Sequence, residues 1–173
     1  MPDDPGRGLW LRTLVFLLVV PCTVLGLVPG WILHTGQGGR VPLGGARWAG
    51  LLPLAAGAPL MLRCMADFVA RGRGTPAPID PPRRLVAEGP YRWVRNPMYV
   101  AGILIILGEA VLWQAPALLA YAAAFWLATH LCVMGYEEPA LARRFGADYA
   151  RYRREVPRWL PRRPRQDATA RPT

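Results

Sequence analysis

The chain has 173 residues, is 53% hydrophobic, and carries 21 basic against 11 acidic residues, for a formal net charge of +10. That length suits one domain, and its apolar residues lie in runs longer than a water-soluble domain of this size needs. The basic excess is all arginine and gathers in two segments beside apolar runs, which points to topology and anionic lipid head groups and away from nucleic acid.

A membrane span takes roughly 17–25 mostly apolar residues. Four stretches qualify: 9–33, 48–70, 98–114 and 116–136. The first is too long in its apolar run for a signal peptide and lacks an A-x-A-like cleavage site, so a retained span is expected. The third is short and holds Glu109 near its end. Between the first two lie only Arg40 and Arg47, whereas residues 71–95 hold six arginines and 137–171 hold ten. By the positive-inside rule the arginine-rich side is cytoplasmic, and four spans return both termini to it. The fold expected is therefore an all-α integral membrane protein of about four transmembrane helices, with a C-terminal interfacial amphipathic helix. Residues 1–161 read as a single domain, and 162–173 as a disordered basic tail.

Cys22, Cys64 and Cys132 are far apart and sit in apolar runs, so neither zinc nor a disulfide is expected. His34 and His130 are also distant, and His130 is expected to hydrogen-bond inside the bundle. The segment 71–96, RGRGTPAPIDPPRRLVAEGPYRWVRN, is too rich in Gly and Pro for one helix. Such a long connection in a small protein is often functional. Within it Asn96-Pro97 is a helix start, with Asn as N-cap and Pro at the first helical position.

Beyond the fourth span, Leu141, Phe145, Tyr149, Tyr152 and Val156 recur every three or four residues, and arginines fill the other faces. This is the expected interfacial helix, with its basic face toward head groups. Glu137 and Glu138 are expected at a break between it and the fourth span, because Pro139 fits a first helical turn.

Two polar clusters thus face the same side. The helix start at Asn96, flanked by Arg92 and Arg95, suits a carboxylate or phosphate; equally, Asn96 can simply cap while the arginines snorkel. Glu137 and Glu138 can pair with those arginines or can hold a cation such as an ammonium group. An anion site facing a cation site suits a zwitterionic amino acid.

GPYRWVRNPMYVAG followed by EEPALARRFGADYARYRREVPRWLP resembles the isoprenylcysteine carboxyl methyltransferase family and the related phospholipid N-methyltransferases. The resemblance runs over residues 83–161. It rests on Gly89, Tyr91, Arg95, Asn96, Pro97, Tyr99 and Gly102, then Glu137-Glu138, Phe145-Gly146, Tyr149, Tyr152, Val156-Pro157 and Leu160-Pro161. It implies an S-adenosyl-L-methionine site built in the membrane, with cofactor contacts at Arg83, Arg84, Leu85, Val86, Tyr91, Asn96, Pro97, Met98, Tyr99 and Glu137. Arg95 and Glu138 are the implied catalytic residues, Glu138 as the nearest base for an amine acceptor. The implied activity is methyl transfer to a lipid-phase or lipidated acceptor (a carboxylate, amine or thiol), without metal, in a membrane of the bacterial inner type.

Two positions depart from the pattern. The family histidine is Asn96 here, which caps and donates but carries no proton. The arginine that the isoprenylcysteine enzymes place one turn before the first acid is Val133, which argues against a prenylcysteine carboxylate. The alternatives are an NADPH-dependent reductase of sterol-reductase-like fold and a non-catalytic lipid-binding or scaffold protein. The paired acids oppose the first, since they would repel a 2′-phosphate.

Overall fold

The computed structural model describes residues 19–36, 38–67, 85 and 87–163. The described residues are all helix, turn and coil, with no strand. Helix α1 is Val19–Thr35; α2 is Leu51–Asp67, entered through a 3-10 segment, Gly44–Gly50; α3 is Pro97–Leu112; α4 is Pro116–Cys132; and α5 is Glu138–Glu155. Of the expected first and second spans, 9–18 and 68–70 lie outside the described residues.

Two helical stretches are long and apolar enough to cross a membrane, Gly44–Asp67 and the 40-residue Pro116–Glu155, whose apolar part is α4. Two shorter apolar helices, Val19–Thr35 and Pro97–Leu112, lie beside them. Large apolar side chains such as Trp31, Leu52, Leu62, Leu127 and Leu131 are exposed along these helices, as they are when lipid rather than protein is the solvent.

Prolines shape two of the helices in the same way. A single widened π turn, Thr23–Leu27, precedes Pro29, and another, Val133–Glu137, precedes Pro139. A proline ring collides with the carbonyl four residues back and offers no N–H to it; a π turn moves that carbonyl out of register. In α1 the widened turn also leaves Val24 O to accept a hydrogen bond from Tyr121 Oη (2.9 Å). The second π turn corrects the expectation of a break at Glu137-Glu138: the chain stays helical through both acids. The break falls instead inside α5 at Gly146, where φ is 49° and ψ is −120°.

The helices alternate between two ends. A Cβ on Gly50 would lie 2.5 Å from Gly108 O, and one on Gly57 would lie 2.9 Å from Ala101 O. The start of α2 therefore meets the end of α3, and the two backbones touch along antiparallel small residues. Trp113–Ala115 then turn the chain back into α4, with Gln114 in a left-handed conformation (φ 57°) and its Oε1 accepting from Leu43 N (2.7 Å). Gly38 packs on Ala117, at the same end. The other end gathers Asp67, Gly89–Asn96, Glu137-Glu138 and the segment after α5, the arginine-rich side of the sequence.

Helix α5 caps that end. Its stripe of Tyr149, Tyr152 and Val156 is buried, with Leu141 and Phe145 beside it, against Leu85 and Ala87. The apolar face expected from the periodicity is real, and Leu85 and Ala87 pack against it.

Candidate functional site

The site is assembled where three chain segments meet: the turn 89–96 leading into α3, the π turn that ends α4, and the strand-like return 156–163 after α5. Tyr91 is buried at their junction, its carbonyl accepting from Tyr152 Oη (2.8 Å). Burial pushes the Tyr91 hydroxyl well above its ordinary value, so it stays neutral. Backbone bonds bind the return segment to the turn: Arg95 N donates to Pro157 O (2.8 Å) and Arg162 N to Trp93 O (2.9 Å).

Glu138 sits at the centre of this junction. Arg95 Nη1 donates to its Oε1 (2.9 Å), Arg158 Nε to the same oxygen (2.7 Å), and Arg158 Nη2 to Oε2 (3.0 Å). Arg158 thus grips the carboxylate in the planar two-point geometry that guanidinium favours. Burial by itself would raise the carboxyl's pKa, but the Arg158 hydrogen bonds and the charges of Arg95, Arg158 and Arg153 outweigh it and hold it below the usual value. Arg158 responds in the matching sense, its own pKa raised by Glu138.

Glu137, on the next position, faces the other way. Tyr99 Oη, in the first turn of α3, donates to its Oε1 (2.5 Å), and Cys132 Sγ lies 3.9 Å from the same oxygen. The two adjacent acids therefore have different environments: Glu138 is closed by two cations, and Glu137 meets a phenol and a thiol and makes no ion pair among the described residues.

The start of α3 departs from expectation in one respect. Asn96 is the N-cap residue and Pro97 the first helical position, as the sequence suggests, but the Asn96 side chain makes no capping bond. Its Nδ2 donates instead to Arg158 O (3.1 Å), because the return segment passes close enough to take it. The first N–H groups of α3 are left without a side-chain cap. Beside them Arg95 Nε is buried with no acceptor among the described residues. A buried, charge-bearing donor without a partner is costly, and here it adjoins an uncapped helix start; together they fit a carboxylate ligand.

An aromatic wall completes the site. Trp159 Nε1 donates to His130 Nδ1 (3.0 Å), Trp126 stacks on His130 with ring centres 5.1 Å apart, and Tyr99 lies 6.5 Å from Trp159 and 6.4 Å from Phe125. An indole only donates, so the neutral imidazole carries its proton on Nε2.

Of the residues singled out from sequence, Arg95, Asn96, Pro97, Tyr99, Glu137 and Glu138 converge here, with Met98 half-buried on α3 and Tyr91 beneath the turn. Leu85 packs under α5. Arg83, Arg84 and Val86 lie outside the described residues. Arg158 and Trp159 were not singled out, although both stand within the Val156–Pro161 motif; an arginine and a tryptophan between two prolines were the available signal. Among the described residues no group of three or more His, Cys, Asp or Glu gathers as a metal site.

The model of the phospholipid methyltransferase family matches residues 47–148, from the entry to α2 well into α5. No curated protein matches the chain.

Proposed function

Because the chain belongs to the phospholipid methyltransferase family, we propose that this membrane protein is an S-adenosylmethionine-dependent methyltransferase acting on a lipid-phase acceptor. The observation that carries the proposal is the Tyr99–Glu137 contact. It sets the acid suited to an ammonium group beside the helix start and the partnerless Arg95 Nε, which suit a carboxylate. An amino acid's two charges then have complementary partners at the same end of α3, and Tyr99 and Trp159 offer ring faces to a sulfonium.

In this proposal Arg95 and the start of α3 at Asn96–Tyr99 hold the methionine carboxylate, and Glu137 holds its ammonium. When bound, S-adenosylmethionine supplies an electrophilic methyl group, whose transfer to an acceptor lone pair leaves a neutral thioether. The protein's contribution is alignment and exclusion of water. Glu138, with both oxygens engaged, is better suited to clasp Arg95 and the return segment than to take a proton. The arginine-rich end, and with it the site and the C-terminus, is on the cytoplasmic side, with four helices crossing the membrane.

The test is calorimetric titration of the detergent-purified chain with S-adenosylmethionine and, separately, NADPH. Binding of the first alone is expected. Binding of NADPH alone would turn the reading to a reductase, and binding of neither to a non-catalytic protein. Transfer of labelled methyl from S-adenosylmethionine into extracted lipid then identifies the acceptor as an amine, carboxylate or thiol.

A further inference from the structure

We infer that Asp67, the last residue of α2, is a positioning residue for the cofactor site, acting through the Gly89–Tyr91 turn; the inference rests on the function proposed above. Asp67 stands outside the motifs at 83–161, and it is 4% exposed. Its Oδ2 lies 3.1 Å from Arg63 Nε, one turn back, but that arginine side chain is 59% exposed.

The same Oδ2 presses on the turn. A Cβ at Gly89 would stand 2.6 Å from it, and Gly89 has φ +56°. A side chain at 89 would be strained by the backbone conformation and would have to push the Asp67 carboxylate aside. From Gly89 the chain is tightly determined. Tyr91 N donates to Glu88 O (3.1 Å), and Trp93 N and Val94 N both donate to Pro90 O (3.0 and 3.3 Å). Arg95 and the start of α3 follow directly. Asp67 itself rides on a rigid element, since α2 is locked against α3 at Gly50 and Gly57. The geometry therefore runs from the α2–α3 crossing through Asp67 to the turn that delivers Arg95.

The experiment uses the full chain in detergent, with parent, Asp67→Ala, Asp67→Asn, Gly89→Ala and Arg63→Ala compared by calorimetric affinity for S-adenosylmethionine and by ligand-free thermal midpoint. Asp67→Ala is expected to bind about tenfold to a hundredfold more weakly per folded molecule, the scale on which small misplacement acts. Asp67→Asn, which keeps the shape, should retain most of the affinity, and Arg63→Ala should match the parent. A purely structural Asp67 would lower the midpoint and leave affinity unchanged; that result overturns the inference. Should Asp67→Ala fail to fold, Gly89→Ala decides by displacing the turn from its other side, and parent affinity there overturns the inference equally. A parent chain that does not bind S-adenosylmethionine overturns the proposed function itself, and this inference with it.

Discussion

Replacing Glu138 with glutamine removes one charge while keeping the side chain's shape, and it leaves two guanidinium groups facing each other. Glu138 is 7% exposed, its partner Arg95 has a side chain 10% exposed, and Arg158 one 27% exposed. Breaking a buried pair by neutralising one member costs about 3–5 kcal/mol. Arg158 can relax toward water, so the lower end applies, about 3 kcal/mol. For a chain of this length that corresponds to a fall of about 6–12 °C in thermal midpoint. The assay is thermal unfolding in detergent of the parent, Glu138→Gln, Arg158→Gln and the double variant. The coupling between the two sites should be about 1 kcal/mol or more.

The pH dependence gives an independent check with a definite sign. The folded-state pKa of Glu138 lies below the ordinary value of 4.5. Between the two values the unfolded chain binds the proton more readily, so the clasp's stabilisation is present above 4.5 and is lost as pH falls through the folded value. Glu138→Gln should abolish that part of the acid dependence. A midpoint for Glu138→Gln within about 2 °C of the parent, under 1 kcal/mol, would refute the clasp. If turnover alone collapsed with stability intact, Glu138 would act as the base suggested by the sequence.

Glu137→Gln should weaken S-adenosylmethionine binding about tenfold to a hundredfold, the worth of a charge-assisted hydrogen bond, with little change in midpoint; unchanged calorimetric affinity would remove Glu137 from the site. Asn96→Asp should be destabilised by about 1–3 kcal/mol, because it replaces a donor to Arg158 O with a second acceptor; Asn96→His, which still has an N–H, should keep more of the midpoint. Gly108→Val should fold poorly, since even a Cβ there meets Leu54 Cγ at 2.6 Å and Gly50 O at 2.8 Å, whereas Gly135→Ala, with nothing within 4 Å, should be neutral or stabilising. A reporter fused after Thr173 should be active only in the cytoplasm, and activity on the opposite side would overturn the four-span topology.

What the sequence determined by itself was what depends on neighbours three or four residues away, or on bulk composition. Apolar runs located the helices because lipid solvates any sufficiently long apolar stretch. Asn96-Pro97 marked the start of α3 because proline at the first helical position loses no bond. The spacing of Leu141 to Val156 marked a buried stripe because that period is the helix's own.

Tertiary structure decided the partners. Nothing local distinguishes Arg158 among 21 arginines; it meets Glu138 because the chain reverses after α5 and its backbone bonds to Arg95 and Trp93. The same return draws the Asn96 amide away from its cap and brings Trp159 to His130. The acids at 137 and 138, equivalent in sequence, separate into a clasped carboxylate and one beside Tyr99 because neighbouring helical positions face different directions. Asp67 shows its relation to Gly89 only when α2 and α3 cross at their glycines. Hydrogen bonds and ion pairs act over a few ångströms of space, and contacts separated by 20 to 62 residues become definite only when packing has brought the segments together.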